Sequence, residues 1–357
     1  MKIVFLNHFI SGGGAERVTC LLSGKMVEKG FDVSLMTNLF KPFAYDFDER
    51  VKKIPLFITK KQSHSKLSLL HMIRNTRTMI KCEKPDVIIG VMPLMNFVAV
   101  VAAFGLKTKI IASDHTSFER KLPLHIKFIR NYVYRLAEHV TVLTQADYNV
   151  IGNKLKRKSV MPNPLAYPCV NDLGANRKRN ILAVGRLDDW RVKGFDILIK
   201  AWASIADRYP DWVLDIAGGG RDNSIAELLQ IAKEFNVDKR LNLIGFRHDI
   251  DAVMRESSIF VLSSRVEGFG MVLIEALSQG CACISFDDRG RQREIITSDK
   301  EGIIIEHKDP KLLAEKIELL IHEPALMHDM AQAGVKRAES FNLNAIEDKW
   351  EKLIKTI

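Results

Sequence analysis

The sequence predicts an α/β protein of two doubly wound domains, each a parallel sheet covered by helices. Short apolar runs alternate with amphipathic stretches along the chain, as they do in consecutive βαβ units. The alternation breaks at a proline-rich segment, KRKSVMPNPLAYP (156–168), and then restarts. The length of 357 residues also suits two domains.

The first half contains five predicted strands. A glycine loop and a helix from Ala15 to about Lys29 separate the first two strands, and a charged, irregular stretch (41–66) follows the second. The predicted strands are KIVFLN (2–7), FDVSLMT (31–37), 87–92 within KPDVIIGVM, KIIASDH (109–115) and HVTVLT (139–144).

The second half contains six predicted strands with helices between them. They are NILAVGRL (180–187), WVLDIAGGG (212–220), LNLIGF (241–246), IFVLSS (259–264), CACISF (281–286) and GIIIE (302–306). The tail, FNLNAIEDKWEKLIKTI, has apolar residues at helical spacing. We therefore place the domains at 1–165 and 166–340, with a C-terminal helix (341–357) that packs back on the first domain.

Composition and cysteine usage favour a cytoplasmic protein. No apolar run approaches the ~18–20 residues of a membrane span. The start, MKIVFLNHF, is too short and too strand-like for a signal peptide. The five cysteines are odd in number and scattered, which indicates a reducing compartment.

The net charge of +10 is unevenly distributed. Residues 1–165 carry 26 Lys and Arg against 12 Asp and Glu, whereas residues 166–357 carry 27 against 31. Nucleic acid, an anionic membrane surface or a phosphorylated substrate would each explain the basic first half, and so would solubility alone. We expect no nucleic-acid partner, because no aromatic-basic recognition motif is present.

The segment RKLPLHIKFIRNYVYRLAE (120–138) is basic and amphipathic. Such a surface can rest on anionic lipid. It can equally be a core helix with a basic outer face, and the sequence leaves both interpretations open.

The glycine loop SGGGAER (11–17) follows the first strand and opens the first helix, where small residues let an anion approach. The dinucleotide pattern G-x-G-x-x-G fails because position 17 is Arg, and Thr37-Asn38 stands where a ribose-binding acid is expected. We therefore predict that Gly13 and Gly14 approach a phosphate or substrate; the alternative is a structural tight turn.

The densest group of candidate site residues lies in the second half. GRLDDWRVKGFD (185–196) places Arg186 and Lys193 after a strand, where two cations can neutralise a diphosphate. Gly245 and Phe246 end another strand, in a place suited to contact with a base.

VEGFGMVLIEA (266–276) ends the IFVLSS strand and begins a helix whose first N–H groups can bind a phosphate. Carboxylates beside an anion site suggest that Glu267 and Glu275 accept hydrogen bonds from sugar hydroxyls.

The order of the GGGAER loop, G-R-L…K-G-F-D and E-G-F-G…E resembles the family-4 retaining glycosyltransferases of the GT-B fold, over nearly the whole chain. Within that family the chain looks like bacterial enzymes of surface-polysaccharide and lipid-linked oligosaccharide synthesis. The resemblance implies two Rossmann-like domains facing across a cleft, the first binding the acceptor and the second a nucleotide sugar.

The resemblance also implies residue roles. Glu267 would bind donor-sugar hydroxyls, Glu275 the ribose hydroxyls, and Arg186 with Lys193 the leaving diphosphate. His115, in SDHTS, matches a histidine near the donor sugar; considered alone, it is more simply a hydrogen-bonded loop histidine. The remaining predicted donor contacts, mostly through backbone, are Gly13, Gly14, Gly245, Phe246, Phe269, Gly270, Met271 and Val272.

The expected donor is a UDP-sugar, such as a UDP-hexose or UDP-N-acetylhexosamine, with GDP next. We expect a polyprenyl-diphosphate or other glycan acceptor, and no cofactor or metal. Asp46-Phe-Asp48 and Asp249-Ile-Asp251 imitate a metal-binding D-x-D but are not at convincing strand ends. A nucleotide-sugar 2-epimerase of the same architecture and a non-catalytic basic binding protein are the alternative functions.

Two segments depart from the family pattern. Arg186 and Lys193 are seven positions apart, whereas relatives commonly space them by five, so Asp188, Asp189 and Trp190 can redirect Lys193. DDRGRQREII (287–296) replaces a segment that is rich in Pro, Ser and Gly in this subgroup, which puts the sugar- or acceptor-facing edge in doubt.

Overall fold

The computed structural model describes residues 1–10, 12–174 and 177–357. Ser11, the first residue of the predicted glycine loop, lies outside the described residues. The chain divides into two compact units: the first comprises Met1–Ala166 and Leu343–Ile357, and the second comprises Tyr167–Asn342.

The first unit contains a parallel sheet of seven strands, with helices around it. Its strands are β1 (Lys2–Leu6), β2 (Asp32–Thr37), β3 (Lys52–Pro55), β4 (Val87–Val91), β5 (Lys109–Asp114), β6 (His139–Val142) and β7 (Lys158–Val160). Its helices are α1 (Gly14–Glu28), α2 (Lys60–Ser63), α3 (Ser68–Glu83), α4 (Pro93–Ala103), α5 (Leu124–Asn131), α6 (Gln145–Ile151) and, at the end of the chain, α14 (Leu343–Thr356).

The second unit repeats this arrangement with six parallel strands. They are β8 (Lys178–Val184), β9 (Val213–Ala217), β10 (Leu241–Gly245), β11 (Ser257–Leu262), β12 (Ala282–Phe286) and β13 (Ile303–Ile305). The helices are α7 (Trp190–Lys193), α8 (Phe195–Ala203), α9 (Asp222–Glu234), α10 (Ile250–Glu256), α11 (Met271–Ser278), α12 (Pro310–His322) and α13 (Pro324–Ala338).

Both sheets are doubly wound, as the sequence predicted. The strand order is β3-β2-β1-β4-β5-β6-β7 in the first unit and β10-β9-β8-β11-β12-β13 in the second. The order therefore reverses between β1 and β4 and between β8 and β11. In open parallel sheets, ligands bind beyond the carboxyl ends of the strands at such a reversal.

The central strands are continuous apolar runs because helices cover both faces of each sheet. All five residues of β4, VIIGV, are buried, and so are all six of β11, SSIFVL. All eleven predicted strands are present. β3 and β7 were not predicted, because both are short edge strands with lysines and no apolar run.

Helix α14 packs on α1 within the first unit. It buries Ile346, Trp350 and Ile354. Lys29, which ends α1, is held by three carboxylates of α14, with its Nζ 2.5 Å from Asp348 and 2.9 Å from Glu351 and in contact with Glu347. The final helix is thus joined to the first sheet by both apolar packing and charge.

None of the helices in the described ranges is both long enough and apolar enough to cross a membrane.

Candidate functional site

The carboxyl ends of β8 and β11 bring two predicted motifs together at the strand-order reversal of the second sheet. Gly185 and Arg186 follow β8, and Ser263 and Ser264 follow β11, its neighbour in the sheet. The segments that begin there carry Lys193 and Glu267. Residues that are 74 positions apart in sequence thus meet at one sheet edge.

Lys193 and Glu267 form an ion pair, with Lys193 Nζ 2.7 Å from Glu267 Oε1. Ser264 Oγ donates to the same oxygen at 2.7 Å. The side chain of Glu267 is only 13% exposed and that of Lys193 22%. The described residues give Glu267 Oε2 no hydrogen-bond partner, so one oxygen of this carboxylate is fixed and the other is available to a ligand.

Gly194 allows the Lys193 segment to lie directly against the β11 loop. Its φ is +68°, and a Cβ at this position would lie 1.9 Å from the carbonyl oxygen of Ser263. Only glycine fits such an approach in this backbone region. Ser263 Oγ also donates to the Lys193 carbonyl at 2.9 Å, so the close contact sets where the Lys193 side chain begins.

An ion pair secures the same two segments from the other side. Arg265 donates to both oxygens of Asp196 at 2.7 Å, and its backbone N–H donates to the Val192 carbonyl at 2.8 Å. The aspartate of K-G-F-D therefore holds the loop that carries Glu267.

The long segment between Arg186 and Lys193 does not divert Lys193 from the site. Asp188 accepts hydrogen bonds from Arg221 and Ser224, and Trp190 Nε1 donates to a carboxylate of α9 at 2.9 Å. Asp189 pairs with Arg186 at 2.8 Å. Arg186 is 76% exposed and points its charge at Asp189, so its guanidinium must leave that partner to bind a diphosphate.

Helix α11 begins beside Glu267, as predicted. Gly270 precedes the helix with a φ of +104°, and Phe269 is buried in contact with the ring of Phe341. Met271 and Val272, in the first turn, are partly exposed. N–H groups in a first helical turn have no partner within the helix, so they can bind an anion there.

Glu275 lies on the second turn of α11 and is only 3% exposed. A ribose would reach at most an edge of this carboxylate. Phe246, after β10, is 57% exposed, whereas the Gly245 carbonyl accepts a hydrogen bond from Gly218 at 2.8 Å. The Phe246 ring is thus open to a base.

In the first unit, backbone N–H groups of the glycine loop donate to a side chain of α1, the helix that follows the loop. The N–H groups of Gly12 and Gly13 donate to Glu16 Oε2 at 2.9 and 3.1 Å. Gly14 is the first residue of α1. An anion that approached Gly13 would therefore compete with the Glu16 carboxylate.

His115 follows β5, where its Nε2 is 3.1 Å from Ser113 Oγ. Burial lowers the pKa of His115 to about 4, although the neighbouring Asp114 charge acts in the opposite direction. The imidazole is therefore neutral at physiological pH.

We expect nuclear magnetic resonance titration to show that His115 stays neutral down to about pH 5. Since its pKa in the folded chain is below the ordinary value, the unfolded chain binds this proton first. The fold is therefore expected to lose stability as the pH falls from about 6.5 to 4, and His115→Asn should remove that part of the dependence. A measured His115 pKa of 6.5 or above would contradict the lowered pKa of this imidazole.

Asp114, beside His115, is the centre of a buried polar network that the sequence did not reveal. Arg130 of α5 donates to both its oxygens, at 2.8 and 3.0 Å, and Tyr134 donates at 2.8 Å. The basic segment predicted as amphipathic thus contributes one buried arginine that holds the end of β5.

The two D-x-D sequences are engaged by neighbouring arginines. Asp48 pairs with Arg50 at 2.7 Å, which lowers the pKa of Asp48 to about 2. Asp249 pairs with Arg247 at 2.6 Å. One aspartate of each D-x-D sequence is thus paired with an arginine two positions away.

Comparison with known proteins agrees with the fold and the motifs. Residues 171–337 match the family model for glycosyl transferases group 1, and residues 12–165 match the model for Glycosyltransferase Family 4. The chain is 28% identical to the amylovoran biosynthesis glycosyltransferase AmsD of Erwinia amylovora, over 99% of each chain.

A second relative is the GalNAc-alpha-(1->4)-GalNAc-alpha-(1->3)-diNAcBac-PP-undecaprenol alpha-1,4-N-acetyl-D-galactosaminyltransferase of Campylobacter jejuni. It is 26% identical and covers 99% of this chain and 98% of its own. The crystal structure of Anabaena Alr3699/HepE in complex with UDP-glucose superposes with a TM-score of 0.83 at 19% identity, over 100% of both chains.

Two family models thus cover almost the whole chain, which folds into two Rossmann-like units. The chain belongs to the family-4, group 1 glycosyltransferases of the GT-B fold.

Proposed function

We propose that the protein transfers a sugar, with retention of anomeric configuration, from a UDP-sugar to a lipid-linked glycan during bacterial surface-polysaccharide synthesis. The observation that carries the proposal is the Lys193–Glu267 pair beside the start of α11. It places a cation, a carboxylate oxygen with no partner among the described residues and the backbone N–H groups at the start of α11 at one sheet edge, as a nucleotide sugar requires.

Each part of the donor has a matching group in the second unit. Glu267 Oε2 accepts from a sugar hydroxyl, while Lys193, Arg186 and the N–H groups of residues 270–272 bind the diphosphate. Glu275 holds the ribose and Phe246 contacts the base. His115 stays a predicted catalytic residue of the first unit.

Glycosyl transfer builds positive charge at the sugar ring and negative charge at the departing phosphate. Lys193 and the first turn of α11 address the negative charge without a metal, and the Glu267 carboxylate addresses the sugar. One preorganised contact of this kind can lower the barrier by ~2–4 kcal/mol. Retention follows when the acceptor attacks from the face that the diphosphate leaves, with no protein nucleophile.

The named relatives support the choice of donor and acceptor. The Anabaena structure was solved with UDP-glucose, and the Campylobacter jejuni enzyme is named for an undecaprenol-diphosphate acceptor. The Erwinia amylovora relative is named for polysaccharide biosynthesis. These names favour a UDP-sugar and a polyprenyl-diphosphate glycan over GDP-sugars and free acceptors.

Thermal-shift screening against UDP, GDP and their sugars tests the donor. We expect UDP and at least one UDP-sugar to raise the midpoint of unfolding, because a ligand that binds only the folded state stabilises it. Mass analysis then separates transfer from epimerisation, since transfer extends the acceptor whereas epimerisation yields an isomeric nucleotide sugar. Absence of a shift with every uridine nucleotide would refute the proposed donor.

The first unit offers a surface for the membrane that carries such an acceptor. Leu124, Phe128, Tyr132 and Leu136 recur every fourth residue along α5 and the turn after it, and each is 54–82% exposed. They form an exposed apolar stripe, which a core helix would bury. Four cations of the same segment are exposed as well: Arg120, Lys121, Lys127 and Arg135.

This combination fits the cytoplasmic face of an anionic bilayer, where apolar side chains enter the interface and cations meet lipid phosphates. We therefore place the protein in the cytoplasm, in peripheral contact with the membrane.

Vesicle flotation at low salt tests the stripe. The wild type should float with vesicles rich in phosphatidylglycerol and less with neutral ones. Leu124→Ser combined with Phe128→Ser should lower the partition coefficient onto these vesicles about 30- to 1000-fold, since two large apolar side chains each lose roughly 1–2 kcal/mol of burial. Phe104→Ser is the matched control, because Phe104 is 76% exposed after α4 and lies outside the segment 120–138. Equal binding by all variants would exclude α5 as the contact.

A further inference from the structure

We propose that Asp288 is a positioning residue for Glu267, and that the segment DDRGRQRE (287–294) holds the donor-sugar carboxylate in its working orientation. The inference rests on the proposed role of Glu267. It concerns a segment that the sequence analysis expected to depart from the pattern of the family.

The direct contact is a hydrogen bond from the Glu267 backbone N–H to Asp288 Oδ2, at 3.0 Å. Asp288 follows β12, the strand next to β11, and is only 7% exposed. Burial of a carboxylate is unfavourable unless the group is bonded. This one is bonded to the backbone of the residue that is proposed to bind the sugar.

Buried groups hold Asp288 in turn. Its backbone N–H donates to Gln292 Oε1 at 2.7 Å. Arg291 is fully buried, donates to the Asp288 carbonyl at 3.1 Å, and has Nη1 3.8 Å from Oδ2. A buried cation thus faces the buried carboxylate and helps to hold it in place.

The rest of the segment is fastened to other parts of the second unit. Asp287 accepts from Arg293 at 3.2 Å, and Arg293 also donates to Glu306 at 2.8 Å. Arg337 of α13 donates to the Glu294 carbonyl at 2.7 Å. The support beneath Asp288 is therefore anchored to β13 and α13.

Glu267 is consequently held at two places. Asp288 fixes its backbone, whereas Lys193 and Ser264 fix Oε1. Oε2 is left to the ligand in a defined direction. A displacement of ~1 Å in a catalytic group can lower the rate about 100-fold, so the loss of the backbone anchor is expected to affect turnover more than nucleotide binding.

The test is a double-mutant cycle in the full-length protein. Asp288→Ala should lower kcat about 10- to 100-fold, leave the dissociation constant for UDP within about twofold, and change the preference between UDP-sugars that differ in one hydroxyl. In the Glu267→Ala background the same change should lower kcat no further, because Asp288 acts through Glu267. Asp288→Asn keeps an acceptor oxygen and should restore most of the rate.

Asp211→Ala is the matched control, because Asp211 also pairs with an arginine, Arg179, but lies at the amino-terminal ends of β8 and β9 and outside the segment 287–294. It should keep kcat within about twofold of the wild type. Amide hydrogen exchange gives a readout that does not depend on transfer: the Glu267 N–H should exchange faster in Asp288→Ala, whatever reaction the protein catalyses.

The inference is overturned if Asp288→Ala lowers kcat by the same factor with and without Glu267, or if it lowers kcat by the same factor for every UDP-sugar. It is also overturned if the Glu267 amide exchanges its hydrogen as slowly in Asp288→Ala as in the wild type. Absence of transfer by the wild type refutes the proposed function instead, and the exchange measurement still decides the role of Asp288.

Discussion

Replacement of Glu267 by Ala or Gln is expected to lower kcat about 100- to 1000-fold, because one preorganised contact at a reacting centre contributes ~2.7–4 kcal/mol. Gln keeps the size of the side chain and loses its charge. If Glu267 acts by accepting from a sugar hydroxyl, Gln retains one acceptor oxygen and should be the more active of the two. Steady-state transfer assays with the UDP-sugar identified by thermal shift measure both variants.

Both Glu267 variants should remain folded, with unfolding midpoints within a few degrees of the wild type. Glu318→Gln is the matched control, since Glu318 of α12 also forms an ion pair, with Arg208, but lies outside the site. A wild-type rate in Glu267→Ala, or an equal loss in Glu318→Gln, would refute the assignment.

Lys193→Met is expected to lower kcat about 100-fold, because the departing diphosphate loses its partly buried cation. Met keeps an unbranched apolar side chain over Gly185, where a Cβ would lie only 3.1 Å from the Lys193 stem. The packing is thus largely preserved and the charge removed. We expect weaker binding of UDP and little change for uridine, which calorimetry with both ligands measures.

Lys200→Met controls for the loss of one positive charge from the second unit, because Lys200 is exposed on α8 and near Phe235. Its kcat should stay near the wild-type value. Equal affinity of wild type and Lys193→Met for UDP would show that Lys193 serves only to hold Glu267.

The sequence predicted the architecture well because the signal of a buried parallel strand is strong. Continuous apolar runs such as VIIGV and SIFVL are typical of strands in a sheet that helices cover on both faces. The edge strands β3 and β7 lack that signal. KKIP offers lysines to solvent, and its pairing with β2 depends on the sheet that is already present.

The Lys193–Glu267 pair could also be anticipated, since both motifs follow strands and carboxyl ends of parallel strands meet at one edge. The residues that support this pair could not be anticipated from the sequence. Ser264 and Asp288 are ordinary polar residues in loops, and only the backbone path brings them to Glu267. Likewise Arg130 looked like one more surface cation of a basic segment, although its side chain is buried against Asp114.

The glycine loop shows a different limit of sequence analysis. Its small residues indicated an anion site, but the carboxylate of Glu16 accepts hydrogen bonds from the N–H groups of Gly12 and Gly13. Such a capping arrangement competes with a ligand for the same donors. Glu16 lies within the motif itself, but only the local backbone conformation shows which N–H groups its carboxylate binds.

The most direct test of the central claim is the anomeric configuration of the product. The protein is supplied with a UDP-α-sugar and a short-chain polyprenyl-diphosphate glycan, and the new linkage is read from the one-bond C–H coupling at the anomeric carbon. We predict an α-linkage, formed by the wild type and nearly lost in Glu267→Ala. A β-linkage, or transfer that does not depend on Glu267, would contradict a retaining reaction at the β8–β11 edge.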